Sequence, residues 1–177
     1  MPCLVFSLAR HSPQRCSQAG FTLVELIVTL SIAVILLTIG VPSMIDLIRD
    51  ARLASQSDQF ASTLNLARTE AIKRRSNIKV CPSTTPNSDT SVLCDAGATA
   101  WATGWTVIDS ASVLQRNVAT SGLKVTTTAT SVEFSGTFGN AALARSFTLC
   151  MPGRKEHLVS VTLSGHVSKS IGTTVCT

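Results

Sequence analysis

From Phe21 to Val41 the chain reads FTLVELIVTLSIAVILLTIGV, 21 residues with Glu25 as the only charge. At about 1.5 Å of rise per residue a helix of this length reaches roughly 31 Å, which matches the ~30 Å hydrocarbon core of a bilayer. The run is long for a secretory signal, whose apolar region spans about 7–15 residues, and no A-x-A-like site follows it. The twenty residues before it carry Arg10 and Arg15 and no acid, a bias that keeps this end in the cytoplasm. A single-pass anchor is therefore predicted, with the larger C-terminal part across the membrane. Glu25 needs a reason, because a charge at the bilayer centre costs about 2.5–3.5 kcal/mol. Either it snorkels toward the headgroups, or a cation meets it.

Gly20 directly precedes Phe21, and Thr-Leu-Val-Glu-Leu follows. The stretch Gly-Phe-Thr-Leu-Val-Glu-Leu resembles the N-terminal signature of type IV pilins and type II secretion pseudopilins. The resemblance implies a leader, residues 1–20, that prepilin peptidase removes between Gly20 and Phe21, with Phe21 then N-methylated. It makes Glu25 the fifth residue of the mature chain, the place where the family keeps a glutamate. There, in the family, the free amino terminus of a neighbouring subunit neutralises the carboxylate within a filament. The implied partners are other pilin or pseudopilin subunits, prepilin peptidase and the inner-membrane assembly platform. The implied location is the bacterial inner membrane, single pass, with a periplasmic C-terminal domain and possible incorporation into a pilus.

Residues 21–42 are read as the transmembrane part of one long helix and residues 43–75 as its amphipathic continuation. Pro42 removes one backbone donor and is expected to bend the axis rather than end the helix. Beyond it Phe60, Leu64, Ala67 and Ala71 recur at helical spacing as one apolar stripe. Asp46, Arg49, Asp50 and Arg52 fall off that stripe, and Lys73-Arg74-Arg75 suits a helix C-terminus through the macrodipole.

After Ser76 short alternating runs replace the helical pattern. Strands are predicted at 78–80, 104–108, 123–125, 132–134, 147–149 and 158–163, with 91–104 as a loop. A long N-terminal helix packed on an antiparallel β-sheet domain, residues 76–177, gives an α+β, pilin-like fold. Gly104-Trp105 after a Cys-bearing loop, Phe134-Ser-Gly136, Phe147-Thr-Leu-Cys150 and Leu66-Ala-Arg-Thr-Glu-Ala71 resemble the H-type minor subunits, the GspH/FimT family. That resemblance implies a minor type IV pilin in pilus biogenesis or, alternatively, the H-type pseudopilin of a type II secretion system.

Of six cysteines, Cys3 and Cys16 lie in the expected leader, leaving Cys81, Cys94, Cys150 and Cys176. An even number in an exported domain points to disulfides. Three pairings are possible, and Cys81–Cys94 with Cys150–Cys176 is preferred. The first closes a short loop and the second fastens the C-terminus to a strand. A zinc site is disfavoured because no C-x-x-C is present, so neither metal nor cofactor is expected. His11 is in the leader, and His157 and His166 have no nucleophile motif beside them. No phosphate-cradling glycine loop exists either. The chain reads as a building block, not an enzyme, and both histidines are expected at the surface.

DNA is the remaining partner question. Without the leader the chain holds thirteen Lys and Arg against ten Asp and Glu, and basic surface attracts phosphate. Some FimT-like minor pilins bind DNA through Gly-Arg-x-Arg near the C-terminus. Here that place reads Gly165-His-Val-Ser168-Lys169, with both arginines missing. Arg154 and Lys155, with Lys169, are the residues left as candidate DNA contacts.

Overall fold

The computed structural model describes residues 21–86, 94, 98–110 and 112–177. It divides into two compact units, Met1–Pro42 and Ser43–Thr177. One helix, α1, is assigned over Leu23–Arg74. In the first unit its apolar side chains, from Leu23 to Val41, stand exposed.

In the second unit the helix buries one side. Leu53, Phe60, Leu64, Ala67 and Ala71 are all shielded from solvent, the stripe that the spacing predicts, extended two turns back to Leu53. The helix ends in a Schellman motif. The Ser76 N–H donates to the Ala71 carbonyl and the Arg75 N–H to the Ile72 carbonyl, each at 3.3 Å. Arg75 takes the left-handed position at φ 53° that glycine usually fills. Gly136 packs against this corner, where a Cβ would overlap the Arg75 carbonyl carbon and the Ser76 nitrogen.

Eight strands follow: β1 Ile78–Pro82, β2 Gly104–Ile108, β3 Val113–Val118, β4 Lys124–Thr126, β5 Val132–Phe134, β6 Arg145–Cys150, β7 Lys155–Val161 and β8 Val167–Val175. They form two antiparallel sheets, β3-β2-β1-β5 and β4-β6-β7-β8. This is the α+β, pilin-like class expected, its sheet split in two. The runs at 78–80, 104–108, 132–134 and 147–149 fall within β1, β2, β5 and β6, and those at 123–125 and 158–163 overlap β4 and β7.

Two strands lie outside the sequence expectation. β3 and β8 are edge strands, mostly half-exposed or exposed, so neither writes a buried alternation into its sequence. A further difference lies in the 91–104 loop, where Ala98–Ala102 forms a 3₁₀ turn that drives Trp101 into the core.

Phe60 is the meeting point of helix and sheets. Its ring lies edge-on to Trp101 at 5.7 Å, Trp105 of β2 at 4.9 Å and Phe147 of β6 at 4.8 Å. Both buried indoles find acceptors: Trp101 Nε1–H donates to the Ala129 carbonyl at 2.8 Å, and Trp105 Nε1–H to Thr63 Oγ1 at 3.3 Å. Two disulfides, Cys81–Cys94 and Cys150–Cys176, cross-link the domain.

Candidate functional site

The expected assembly segment begins at the first turn of α1. Thr22 is the N-cap, and its Oγ1 accepts the Glu25 N–H at 3.2 Å. Threonine at the cap with glutamate three residues on is the capping-box pattern. An acid in the first turn also complements the positive end of the helix dipole. Glu25 therefore has a local part that the sequence reading did not assign it. Both it and Phe21 are exposed, and Gly20 lies outside the described residues. The helix is long and apolar enough to cross a membrane, with a mean hydropathy of 2.5 over its most apolar window.

The candidate DNA contacts lie in the second unit, around β7 and β8, and helix carboxylates hold two of the three. Arg154 bridges Asp46 at 3.2 Å and Asp50 at 3.0 Å. Lys169 of β8 pairs with Asp58. Lys155 has no ion pair among the described residues and lines a cavity of about 520 Å3 with Asp50, Ala54, Arg154 and His157. The turn carrying Arg154 is fixed from behind. The Gly153 N–H donates to the Cys176 carbonyl at 2.9 Å, the Cys176 N–H to the Arg154 carbonyl at 2.8 Å, and Cys176 is bonded to Cys150. Asp46 and Asp50, read from sequence only as residues off the apolar stripe, thus tie the helix to the β6–β7 turn. Their i, i+4 spacing was the available signal that they share a target.

His157 is a correction. It is only 8% exposed, not a surface histidine, and its Nδ1 lies 2.8 Å from Ser57 Oγ on the helix. The Ser57 hydroxyl has one proton, and the Ala54 carbonyl 2.8 Å away can only accept. Ser57 Oγ therefore accepts from His157 Nδ1–H, which assigns the neutral tautomer. Burial, then the Lys169 ammonium, depress the His157 pKa below its ordinary value, against the pull of Asp58 and Asp50.

The sign follows. The unfolded chain takes up this proton near pH 6.5 and the folded chain only at lower pH, so stability falls as pH drops below about 6.5. The thermal midpoint should be flat above pH 7 and decline below that value, and His157→Gln should remove this part of the decline. Glu70 titrates in a separate window. The hydrogen bond from Arg74, with Lys73 beside it, outweighs its desolvation and holds its carboxyl below the ordinary carboxylate range, so that contribution is lost only in stronger acid.

Residues 56–165, more than half of the chain, match the family model described as type II transport protein GspH. The chain belongs to the GspH family. Residues 15–41 of this GspH-family chain match the model of the prokaryotic N-terminal methylation motif, which sets it among the type IV pilins and pseudopilins. Two crystal forms of the type IV minor pilin FimU of Pseudomonas aeruginosa, strain PAO1, share its fold. One is 15% identical, covering 71% of this chain and 96% of FimU, and the other 16% identical, covering 68% and 97%, both with a TM-score of 0.52. No curated protein sequence matches. Family membership implies a structural subunit that assembles with other pilin subunits.

Proposed function

We propose that this chain is a minor type IV pilin, a structural subunit and not an enzyme, that takes part in pilus assembly. Prepilin peptidase removes residues 1–20, Phe21 is methylated, and residues 21–42 hold the chain in the inner membrane until the assembly platform extracts it. The helix continuation, 43–75, and the β-rich domain, 76–177, then stand in the periplasm. The match of residues 15–41 to the methylation motif, ahead of the GspH-matched region, carries this reading.

In the assembled state the Glu25 carboxylate receives the amino terminus of a neighbouring subunit, which removes the cost of an unpaired charge in an apolar bundle. Glu25→Leu tests this. The Thr22 cap bond survives, because residue 25 supplies its backbone N–H with either side chain, and only the acid's own capping-box and dipole contribution is lost. The variant should reach the membrane at normal level, yet its share in sheared filaments should fall about tenfold or more, a loss of at least about 1.4 kcal/mol. Undiminished incorporation would remove the role given to Glu25.

A second reading, the H-type pseudopilin of a type II secretion system, is favoured by the family description itself. Deleting the gene separates the two: loss of surface pili supports the first, retention of an exoprotein in the periplasm the second. DNA binding is the weakest reading, since Arg154 and Lys169 are already neutralised by Asp46, Asp50 and Asp58.

A further inference from the structure

At the C-terminal end of α1 three segments converge. Gly139 packs so closely on the helix that a Cβ there would lie 2.7 Å from Ile72 Cδ1 and 3.1 Å from Arg68 Cγ. A Cβ at Gly165, in the β7–β8 turn, would overlap the Gly139 carbonyl oxygen and lie 3.0 Å from Arg68 Nε. The Ala141 N–H donates to the Leu163 carbonyl at 3.1 Å, and Arg68 Nη2 donates to the Ser164 carbonyl at 3.1 Å. Helix end, β5–β6 connection and β7–β8 turn are thereby locked together.

This corner presents apolar side chains to solvent. Phe138 is 79% exposed, Leu163 60%, Leu143 56% and Ile72 46%. Phe138 is held out by a hydrogen-bonded turn. The Gly139 N–H donates to the Ser135 carbonyl at 2.9 Å, the Ser135 N–H to the Asn140 carbonyl at 2.9 Å and the Thr137 N–H to Ser135 Oγ at 3.3 Å. With Gly139 in the left-handed region at φ 65°, the turn offers an aromatic ring at little cost in ordering entropy. Exposed aromatic and arginine side chains at such places carry much of the energy of protein interfaces.

The surrounding charge is positive. Lys73 and Arg74 share the single carboxylate of Glu70, while Arg68 and Arg75 have no ion pair among the described residues. The other acids nearby are engaged: Glu133 with Lys79 and Asn77, and Asp109 with Ser76 and Ser110. A second copy presenting the same face would bring like charges together, which argues against self-pairing here.

We propose that Phe138, Leu143 and Leu163, ringed by Arg68, Lys73 and Arg75, form a docking face for an acidic, leucine-bearing segment of a different polypeptide. The apolar centre buries the partner's aliphatic side chains, and the basic rim pairs with its carboxylates and sets orientation and on-rate. The inference rests on the proposed filament role only for the partner being a fellow subunit. The test below reads the face alone and leaves N-terminal processing untouched.

The test uses the full chain, isotope-labelled, in non-ionic detergent micelles, titrated with the capped peptide acetyl-Glu-Leu-Glu-Leu-Leu-Glu-amide and followed by NMR. The amides of Phe138, Leu163 and Arg75 should shift together, while those around His157 stay in place. Phe138→Ala and Arg75→Glu should each weaken binding about tenfold, and the peptide with lysine for glutamate should not bind. Phe138 is exposed, so its variant should leave the rest of the spectrum unchanged; Arg75 also holds the turn that ends α1, so its variant counts only where amides beyond that turn stay in place. Absence of peptide binding at millimolar concentration overturns the proposal, as does binding indifferent to both substitutions. Vesicles of phosphatidylcholine with phosphatidylglycerol, or a short DNA duplex, moving these resonances where the peptide does not would overturn it in favour of a lipid or nucleic-acid surface.

Discussion

Trp101→Ala should destabilise the domain by about 3–5 kcal/mol, the usual cost of truncating a buried large aromatic. The ring is fully buried, meets Phe60 at 5.7 Å and Phe147 at 5.1 Å, and donates its indole N–H to the Ala129 carbonyl. Truncation removes the apolar contacts and leaves that carbonyl without its donor, so two losses add. Urea unfolding of the full chain, followed by Trp105 fluorescence, measures it. The exposed Phe138→Ala serves as control and should lie within about 0.5 kcal/mol of the parent. A Trp101 variant as stable as the control would mean that the 3₁₀ turn is not part of the core.

Breaking the Cys150–Cys176 bond by paired substitution to serine should cost about 3.5 kcal/mol, the chain-entropy value for a loop of that length. Removing Cys81–Cys94, which closes a shorter loop, should cost about 3 kcal/mol by the same reasoning. The first loss should reach further than stability. Cys176 also receives the Gly153 N–H and donates to the Arg154 carbonyl, so the turn that aims Arg154 at Asp46 and Asp50 should loosen. Amide exchange at Gly153 and Arg154 should accelerate in the Cys150/Cys176 variant and stay unchanged in the Cys81/Cys94 variant. Equal acceleration in both would contradict this account of the turn.

What the sequence made legible follows from where side chains are buried. Phe60, Leu64, Ala67 and Ala71 announce a helix because a buried stripe imposes its period on the residues. β1, β2 and β6 could be read for the same reason. β3 and β8 could not: Val113-Leu-Gln-Arg-Asn-Val118 and the Ser/Thr-rich Val167–Val175 run along sheet edges, where one partner strand and partial burial leave no alternation. Trp101 hid among alanines and a glycine, because its burial depends on a 3₁₀ turn that has no period of its own. His157 looked like a surface residue, since its partner Ser57 lies a hundred positions away and nothing local marks the pair. A similar separation, 104 positions for Asp50, hid the partners of Arg154. Two of the three candidate contacts chosen for their charge, Arg154 and Lys169, proved to be held by acids elsewhere in the chain.

At the N-terminus, motif and helix agree, and the decisive question is chemical. Intact mass spectrometry of the protein, isolated from cells with and without prepilin peptidase, answers it directly. With the enzyme the mass should correspond to residues 21–177 plus one methyl group, and without it to a chain that keeps Gly20 and everything before it. A leader retained despite active peptidase, or a cut beyond Val41 that parts the apolar helix from its domain, would contradict the account.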